Sequence, residues 1–124
     1  MIEGFFGSKG ELYFDIDLIT DLEETITVAA LLDTGFTDWL GMNTQDVVAL
    51  GWQELERREM TTALGEGEFS IYEGRVVFDS EESIIPVVVG DEIVEVLLGL
   101  KWLEVGRLSV DKKRNSLILD YGGD

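Results

Sequence analysis

The sequence contains no histidine and no cysteine, and it has a single proline. Without histidine and cysteine the chain cannot form a Ser-His-Asp triad, a Cys-His pair, an ordinary zinc site or a disulfide. Basic residues are also scarce, because 9 lysines and arginines stand against 26 acidic residues, which gives a formal net charge of −17. Nucleic-acid binding needs a basic patch that displaces phosphate counterions. We therefore expect no nucleic-acid partner.

Long hydrophobic runs are missing as well. No run approaches the length of a membrane span, and residues 1–6 lack the basic and long apolar segments of a signal peptide. We therefore expect no membrane association and a cytoplasmic location. No group of acidic residues has the spacing of a calcium loop, so we expect neither a metal ion nor a cofactor.

The chain does contain enough apolar residues for a core. Its hydrophobic content is 45% over 124 residues, which suits one globular domain, and we predict a single domain over residues 1–124. Tryptophans 39, 52 and 102 are expected in the core or in a dimer contact.

The pattern of apolar residues is typical of a mostly β protein. Residues 11–18 alternate partly between apolar and acidic, and Thr25–Leu32 is an apolar run with several β-branched members. A second strand-rich block begins near Thr61. Its predicted strands cover residues 69–78, 84–89, 108–110 and 116–119, the last two forming a hairpin around a basic turn.

Two short helices are predicted between these strands. Asn43 or Thr44 can cap a helix over residues 45–50, and Gly51 is well placed to end it. Residues 100–103 suit a second helix that ends near Gly106.

The segment after Thr25–Leu32 carries the most informative polar residues. Asp33-Thr34-Gly35 places an acid at the end of a hydrophobic strand. Taken alone, an aspartate beside a glycine is typical of an ordinary turn. About sixty residues later, however, Val96-Leu97-Leu98-Gly99 repeats the order of apolar strand, glycine and short helix.

Together these two segments resemble the retropepsin-like, single-domain aspartic proteases of the retroviral type, and Asp33-Thr34-Gly35-Phe36-Thr37 is closest to small prokaryotic members. The resemblance spans residues 11–119. It implies an all-β fold, a closed acid-protease barrel with one or two short helices. It also implies an aspartic endopeptidase that acts on a peptide or protein substrate.

The resemblance assigns Asp33 as the catalytic acid. Hydrolysis without a metal or covalent intermediate needs two carboxyl groups that share one proton, one acting as general base and one as general acid. The motif occurs once, and Gly90-Asp91 has the reverse order and lacks threonine. The resemblance therefore implies a homodimer with one Asp33 from each subunit on the two-fold axis.

The same resemblance suggests roles for the neighbouring residues. Thr34 would hydrogen-bond across the dimer axis, and Gly35 would let the substrate backbone approach closely. Residues 96–99 would pack the cavity floor. A flap would lie around Ala63, Leu64 and Gly65, Asp38 would contact substrate backbone, and the bulky Phe36 would narrow the cleft or fill an S1-like pocket.

Two other functions stay open on the sequence alone. The first is a catalytically inactive retropepsin-like domain that serves protein binding or dimerisation, because a fold does not fix an activity. The second is a glycosidase with a carboxylate pair, for which no residue is singled out as the second acid.

Overall fold

The structure is a computed structural model that describes residues 1–62 and 65–121. Over these residues the chain forms eleven strands and two short helices. In chain order they are β1 (Ile2–Glu3), β2 (Phe5–Phe6), β3 (Leu12–Ile19), β4 (Thr25–Leu32), β5 (Leu40–Asn43), α1 (Thr44–Leu50), β6 (Gln53–Thr62), β7 (Gly65–Phe78), β8 (Glu81–Gly90), β9 (Leu97–Leu98), α2 (Trp102–Val105), β10 (Arg107–Asp111) and β11 (Ser116–Asp120).

Six of the strands close into a barrel. They follow one another in the order β3-β4-β9-β5-β8-β7, and β3 pairs again with β7 at Asp17↔Val77 and Leu18↔Val76. The β4–β9 and β5–β8 pairs are parallel, and the other pairs of the ring are antiparallel. The predicted all-β closed barrel with two short helices is confirmed.

Strand β3 shows why the partial alternation in the sequence predicts a strand. Phe14, Ile16 and Leu18 are buried in the barrel, whereas Asp15 is exposed on the other face. Each of these large apolar side chains contributes roughly 1.5–3 kcal/mol when it leaves water. A shift of the register by one residue would bury the acidic face, so this alternation fixes the strand in place.

Strand β4 has the predicted bounds, and its burial changes along its length. Its first three residues are exposed, whereas Ala30 and Leu32 near its end are buried. The buried half is the half that leads into Asp33. The strand therefore enters the core just before the residue that the sequence singles out.

Helix α1 confirms the predicted caps. The Asn43 side chain accepts a hydrogen bond from the Gln45 N–H at 3.0 Å, and Gly51 has a φ of 78°. Such a positive φ is cheap only for glycine, so Gly51 ends the helix without strain. Helix α2 begins at Trp102, slightly later than predicted, and ends at Val105, next to the predicted stop at Gly106.

Strand β6 begins at Gln53, well before the strand-rich block that the sequence predicts from Thr61. It pairs with β7 from Gln53↔Glu73 to Thr62↔Gly65. Residues 53–59 of β6 are exposed on both faces. Because neither face is buried, the sequence has no apolar alternation there that would reveal a strand.

A second sheet joins the two ends of the described chain. Strand β11 lies between β1 and β10, with Ile2 opposite Leu119. Leu117 and Leu119 are buried and anchor this sheet on the main core. The predicted hairpin around the basic turn is confirmed. In the part of the chain that the structure covers, no helix has both the length and the apolar character needed to cross a bilayer.

Candidate active site

Asp33 lies directly beyond the last residue of β4. The Leu31 N–H donates to the Val96 carbonyl at 2.8 Å, and the Asp33 N–H donates to the Leu98 carbonyl at 2.9 Å. These two bonds join β4 to β9 in parallel register, with Leu32 opposite Leu98. The two motifs that the sequence singles out are therefore adjacent in space, and the backbone of one holds the acid of the other.

The turn after β4 leaves part of the Asp33 carboxylate free. Its Oδ1 accepts a hydrogen bond from the Gly35 N–H at 2.8 Å, and its carbonyl accepts one from the Phe36 N–H at 3.1 Å. Within residues 1–62 and 65–121 the second carboxylate oxygen has no hydrogen-bond partner. The side chain is half-buried, so one oxygen is fixed while the other remains available for chemistry.

Thr34 and Gly35 form the exposed tip of this turn. An added Cβ at Gly35 would lie 3.2 Å from Asp33 Oδ1, so the glycine keeps the space beside the carboxylate open. The Thr34 hydroxyl has no hydrogen-bond partner among the described residues. The tip of the turn therefore presents a hydroxyl without a partner in the described chain and no bulky side chain.

Strand β9 runs between β4 and β5 beneath the Asp33 loop. Leu97 faces Leu31 on one side and Gly41 on the other. Gly99 follows, and its N–H donates to the Trp39 carbonyl at 3.0 Å. A Cβ at Gly99 would overlap the carbonyl oxygen of Asp38, so only glycine allows this crossing.

The far end of the loop is held by helix α2 and the turn before it. The Leu100 N–H donates to the Phe36 carbonyl at 2.8 Å, and the Trp102 indole N–H donates to the Trp39 carbonyl at 2.8 Å. Asp38 is half-buried, and its carbonyl accepts from the Lys101 N–H at 3.4 Å. The loop from Asp33 to Trp39 is therefore tied to the second motif along its whole length.

A cavity of about 220 Å³ opens beside Asp33. Phe36 lies in its wall and packs against a cluster of buried residues separate from the main core. The wall also includes acidic side chains from the segment between β8 and β9. In full, the lining residues are Asp33, Gly35, Phe36, Phe69, Val88, Glu92, Ile93, Val94, Glu95 and Leu97.

Six of the ten lining residues are absent from the sequence-based prediction. Phe69 and Val88 reach the cavity from β7 and β8, and residues 92–95 reach it from the loop before β9. In the sequence, residues 92–98 are apolar except for Glu92 and Glu95, but only Leu97–Leu98 is strand. The turn signal at Gly90-Asp91 is the one local indication that the chain leaves the sheet there.

The predicted flap falls on the β6–β7 hairpin. Ala63 and Leu64 lie outside the described residues. Gly65 is the first residue of β7 and pairs with Thr62. Near the described end of the hairpin, Glu66 and Glu68 are exposed. Over the described residues, no group of three or more acidic side chains is arranged to hold a metal ion.

Comparisons with known proteins agree with this geometry at the level of structure. No protein-family model matches the sequence, and no curated protein matches it. A retropepsin-like aspartic protease from Rickettsia conorii superposes with a TM-score of 0.72 at 25% identity, covering 97% of this chain and 89% of that one. The EIAV protease in complex with the inhibitor HBY-793 superposes with a TM-score of 0.62 at 15% identity, covering 80% of this chain and 90% of that one.

Both similar structures are proteases, and their folds cover 97% and 80% of this chain. The sequence resemblance depends on the turn at Asp33 and on the segment that contains β9. The structure places these two segments side by side within the barrel, where β9 pairs with β4. This chain therefore has the retropepsin-like fold of the aspartic proteases.

Proposed function

We propose that the protein is an aspartic endopeptidase whose active site forms when two copies of the chain associate. The observation that carries this proposal is the setting of Asp33. Its backbone is fixed by β9, one carboxylate oxygen is free, and an apolar cavity opens beside it. That arrangement occurs within a fold shared with aspartic proteases.

The chemistry requires a second carboxyl group. In the proposed dimer, the Asp33 side chains of the two subunits share one proton, because two carboxylates at close range do not both ionise readily. The ionised one takes a proton from water as the water attacks the peptide carbonyl carbon. The protonated one gives its proton to the carbonyl oxygen, and the tetrahedral intermediate then collapses as a proton passes to the leaving amine.

The exposed turn supports a two-fold arrangement. Thr34 presents a hydroxyl without a partner in the described chain, and Gly35 adds no side chain that would keep a second copy away. We assign Thr34 to a hydrogen bond with the partner's turn. Residues 96–99 support the turn, and we assign the half-buried Asp38 of the same loop to a contact with substrate backbone.

The substrate in this proposal is an extended peptide. It lies between the Asp33 loop and the β6–β7 hairpin, where main-chain hydrogen bonds supply affinity and alternate side chains enter pockets. The cavity lined by Phe36 and Leu97 is one such pocket. Phe36 is part of the wall of this cavity, and we assign it the role of narrowing the cleft there.

The deciding experiment compares wild type with Asp33→Asn on a mixed peptide library at pH 4 to 7. We expect wild type to yield cleavage products and the variant to lose at least a thousand-fold of that activity, roughly the scale of losing one essential acid–base group. Asp91→Asn is the matched control, since Asp91 is an exposed aspartate in a turn outside the cavity lining. Sedimentation of all three proteins should show the same dimer.

Contrary results have separate meanings. Equal cleavage by wild type and Asp33→Asn would remove Asp33 from the mechanism. A protein that is strictly monomeric at micromolar concentration and fully active would exclude a catalytic pair made of one Asp33 from each subunit. A stable dimer that cleaves nothing would favour the catalytically inactive binding domain instead.

A further inference from the structure

We infer that the cavity beside Asp33 selects a lysine or arginine side chain of the substrate. Its apolar wall would pack the aliphatic stem, and Glu92 and Glu95 would bind the cationic head. The inference rests on the proposed function, because it assigns a substrate class to the same cleft.

The apolar part of the cavity suits a long stem. Phe69, Val88 and Ile93 are buried, and Phe36 and Leu97 pack against them. The cavity volume of about 220 Å³ equals roughly seven water molecules at about 30 Å³ each, which is room for one long side chain. Lysine and arginine commonly bury their methylene groups along such a surface and keep the charge at its edge.

The polar part of the cavity is acidic. Glu92 and Glu95 both line the cavity, and both residues are exposed to solvent. Among the described residues, no lysine, arginine or terminal amine lies within ion-pair distance of either carboxylate. The pocket therefore carries negative charge that this subunit does not neutralise.

Glu95 is also held in place. The Tyr13 hydroxyl donates to its Oε1 at 2.9 Å, and the Tyr13 ring stacks on Phe5 at a centroid distance of 5.5 Å. The hydrogen bond to Glu95 raises the pKa of Tyr13. A carboxylate fixed by a neighbour loses less freedom on binding a cation than one that is free to rotate. Tyr13 is thus a positioning residue for Glu95.

The phenylalanines add a second reason to prefer a cation. Phe36 and Phe69 both line the cavity, and an ammonium or guanidinium group near an aromatic face gains cation–π attraction. A neutral side chain of the same length would gain the apolar contacts alone. A glutamate in the substrate would face two like charges.

The test uses peptides that differ at one position, with lysine, arginine, norleucine or glutamate. Norleucine matches the lysine stem and lacks the charge, so the lysine-to-norleucine ratio isolates the contribution of the carboxylates. The lysine-to-norleucine ratio is measured for two quantities. The first is kcat/KM with wild type, and the second is the affinity of labelled peptides for Asp33→Asn, followed by fluorescence anisotropy. Binding to Asp33→Asn makes the second measurement independent of catalysis.

We expect lysine and arginine to be favoured over norleucine and glutamate to be the weakest. Glu92→Gln and Glu95→Gln should each lower the lysine-to-norleucine ratio about three- to five-fold, the upper range for a solvent-exposed ion pair. The double variant should lower it roughly ten-fold, and Tyr13→Phe should lower it by less than Glu95→Gln.

The matched control is Glu24→Gln, which removes the same charge elsewhere. Glu24 precedes β4 while Asp33 follows it, so the two lie roughly 25–30 Å apart at the rise of an extended strand. The control should leave the ratio unchanged. An equal drop in Glu24→Gln would show a general effect of net charge and overturn the inference.

The remaining outcomes separate this inference from the proposed function. Cleavage that depends on Asp33 but prefers norleucine would overturn the inference about the pocket and would leave the proposed protease function standing. A second outcome is a preference for lysine in binding that the glutamine variants abolish, with no cleavage of any peptide. It would uphold the inference about the pocket and overturn the proposed protease function. No binding of any peptide to Asp33→Asn, and no cleavage by wild type, would overturn both.

Discussion

The Asp33 loop and the β6–β7 hairpin are both candidate walls of the same cleft, but they are held in different ways. Backbone hydrogen bonds from β9 and from the turn before α2 hold the Asp33 loop at both ends. In the outer half of the hairpin, residues 58–62 and 65–69 pair only with each other among the described residues, because β8 joins β7 from Ser70 onward. Its ion pairs, such as Arg57 with Glu68, are exposed.

This difference suggests that the Asp33 loop and the β6–β7 hairpin have different roles. In the proposed enzyme the catalytic acid must keep its geometry, and the loop that carries Asp33 is tied to β9 and to the turn before α2. A covering element must let substrate in and out, and regions with few buried contacts open at low cost. The contrast can be tested at each element in turn.

The largest effect is expected from Gly99→Ala. The added Cβ would overlap the carbonyl of Asp38, and backbone at this crossing cannot move away without breaking the bonds of the loop. We expect a loss of about 3 kcal/mol in the free energy of unfolding. Chemical denaturation followed by tryptophan fluorescence measures it.

Gly67→Ala is the matched control in the hairpin. An added Cβ there would lie 3.4 Å from the nearest carbon of the Phe69 ring, which is ordinary contact. We expect a change below about 0.5 kcal/mol. If the two alanine variants lost similar stability, the contrast between loop and hairpin would be wrong.

A second effect is expected from Trp102→Phe. The change removes the indole N–H that donates to the Trp39 carbonyl at 2.8 Å and reduces an edge-to-face contact of 4.9 Å with the Trp39 ring. We expect a loss of about 1–3 kcal/mol in the free energy of unfolding. We also expect lower kcat, because the end of the Asp33 loop loses an anchor.

Trp52→Phe provides the comparison for that prediction. Its indole N–H donates to the Ile19 carbonyl at 2.8 Å, a bond of the same kind that lies away from the Asp33 loop. It should lose similar stability and keep its kcat. An equal fall in kcat for both variants would show that activity follows stability alone.

A smaller effect is expected from Arg57→Gln in the hairpin. Arg57 forms exposed ion pairs with Glu54 and Glu68, at 3.0 and 3.2 Å. We expect almost no change in Tm, and any difference from wild type should vanish in high salt because such pairs are screened. A clear fall in Tm that persists in salt would mean that the hairpin contributes to global stability.

The effect expected at the seam that closes the barrel is also small, and it depends on pH. Arg75 on β7 binds Glu23 in the β3–β4 turn at 2.8 Å and lowers the pKa of Glu23. Because the folded pKa is the lower one, this contribution to stability is present above the unfolded value of about 4.3 and is lost as pH falls through the folded value. The Tm difference between wild type and Glu23→Gln should therefore shrink from pH 7 to pH 3. A difference that is constant over this range would contradict the assignment.

Local patterns account for the parts of the fold that the sequence predicts. The bounds of β4 follow from a continuous apolar run, and the ends of α1 follow from Asn43 and Gly51. In both cases the residues that specify the element lie inside it or next to it. The pairing of the segment 96–99 with the Asp33 turn follows from the family resemblance and not from any local signal.

The elements that the sequence does not predict depend on distant contacts. Strand β6 lacks apolar alternation because it projects with both faces in solvent. The cavity wall at Phe69 and Glu92 depends on how β7 and the loop before β9 meet, which periodicity does not encode. The fold and the position of Asp33 are thus readable from the sequence, while the shape and charge of the pocket require the structure.

The small sheet at the chain ends has a consequence for connectivity. Because Ile2 lies opposite Leu119 on the neighbouring strand, the first and last described residues are side by side. A short glycine-rich linker could join them, and new ends could then be opened in the basic turn between β10 and β11. Such a circular permutant would keep every strand pair of the barrel and would free the polypeptide ends for fusing two barrels into one chain.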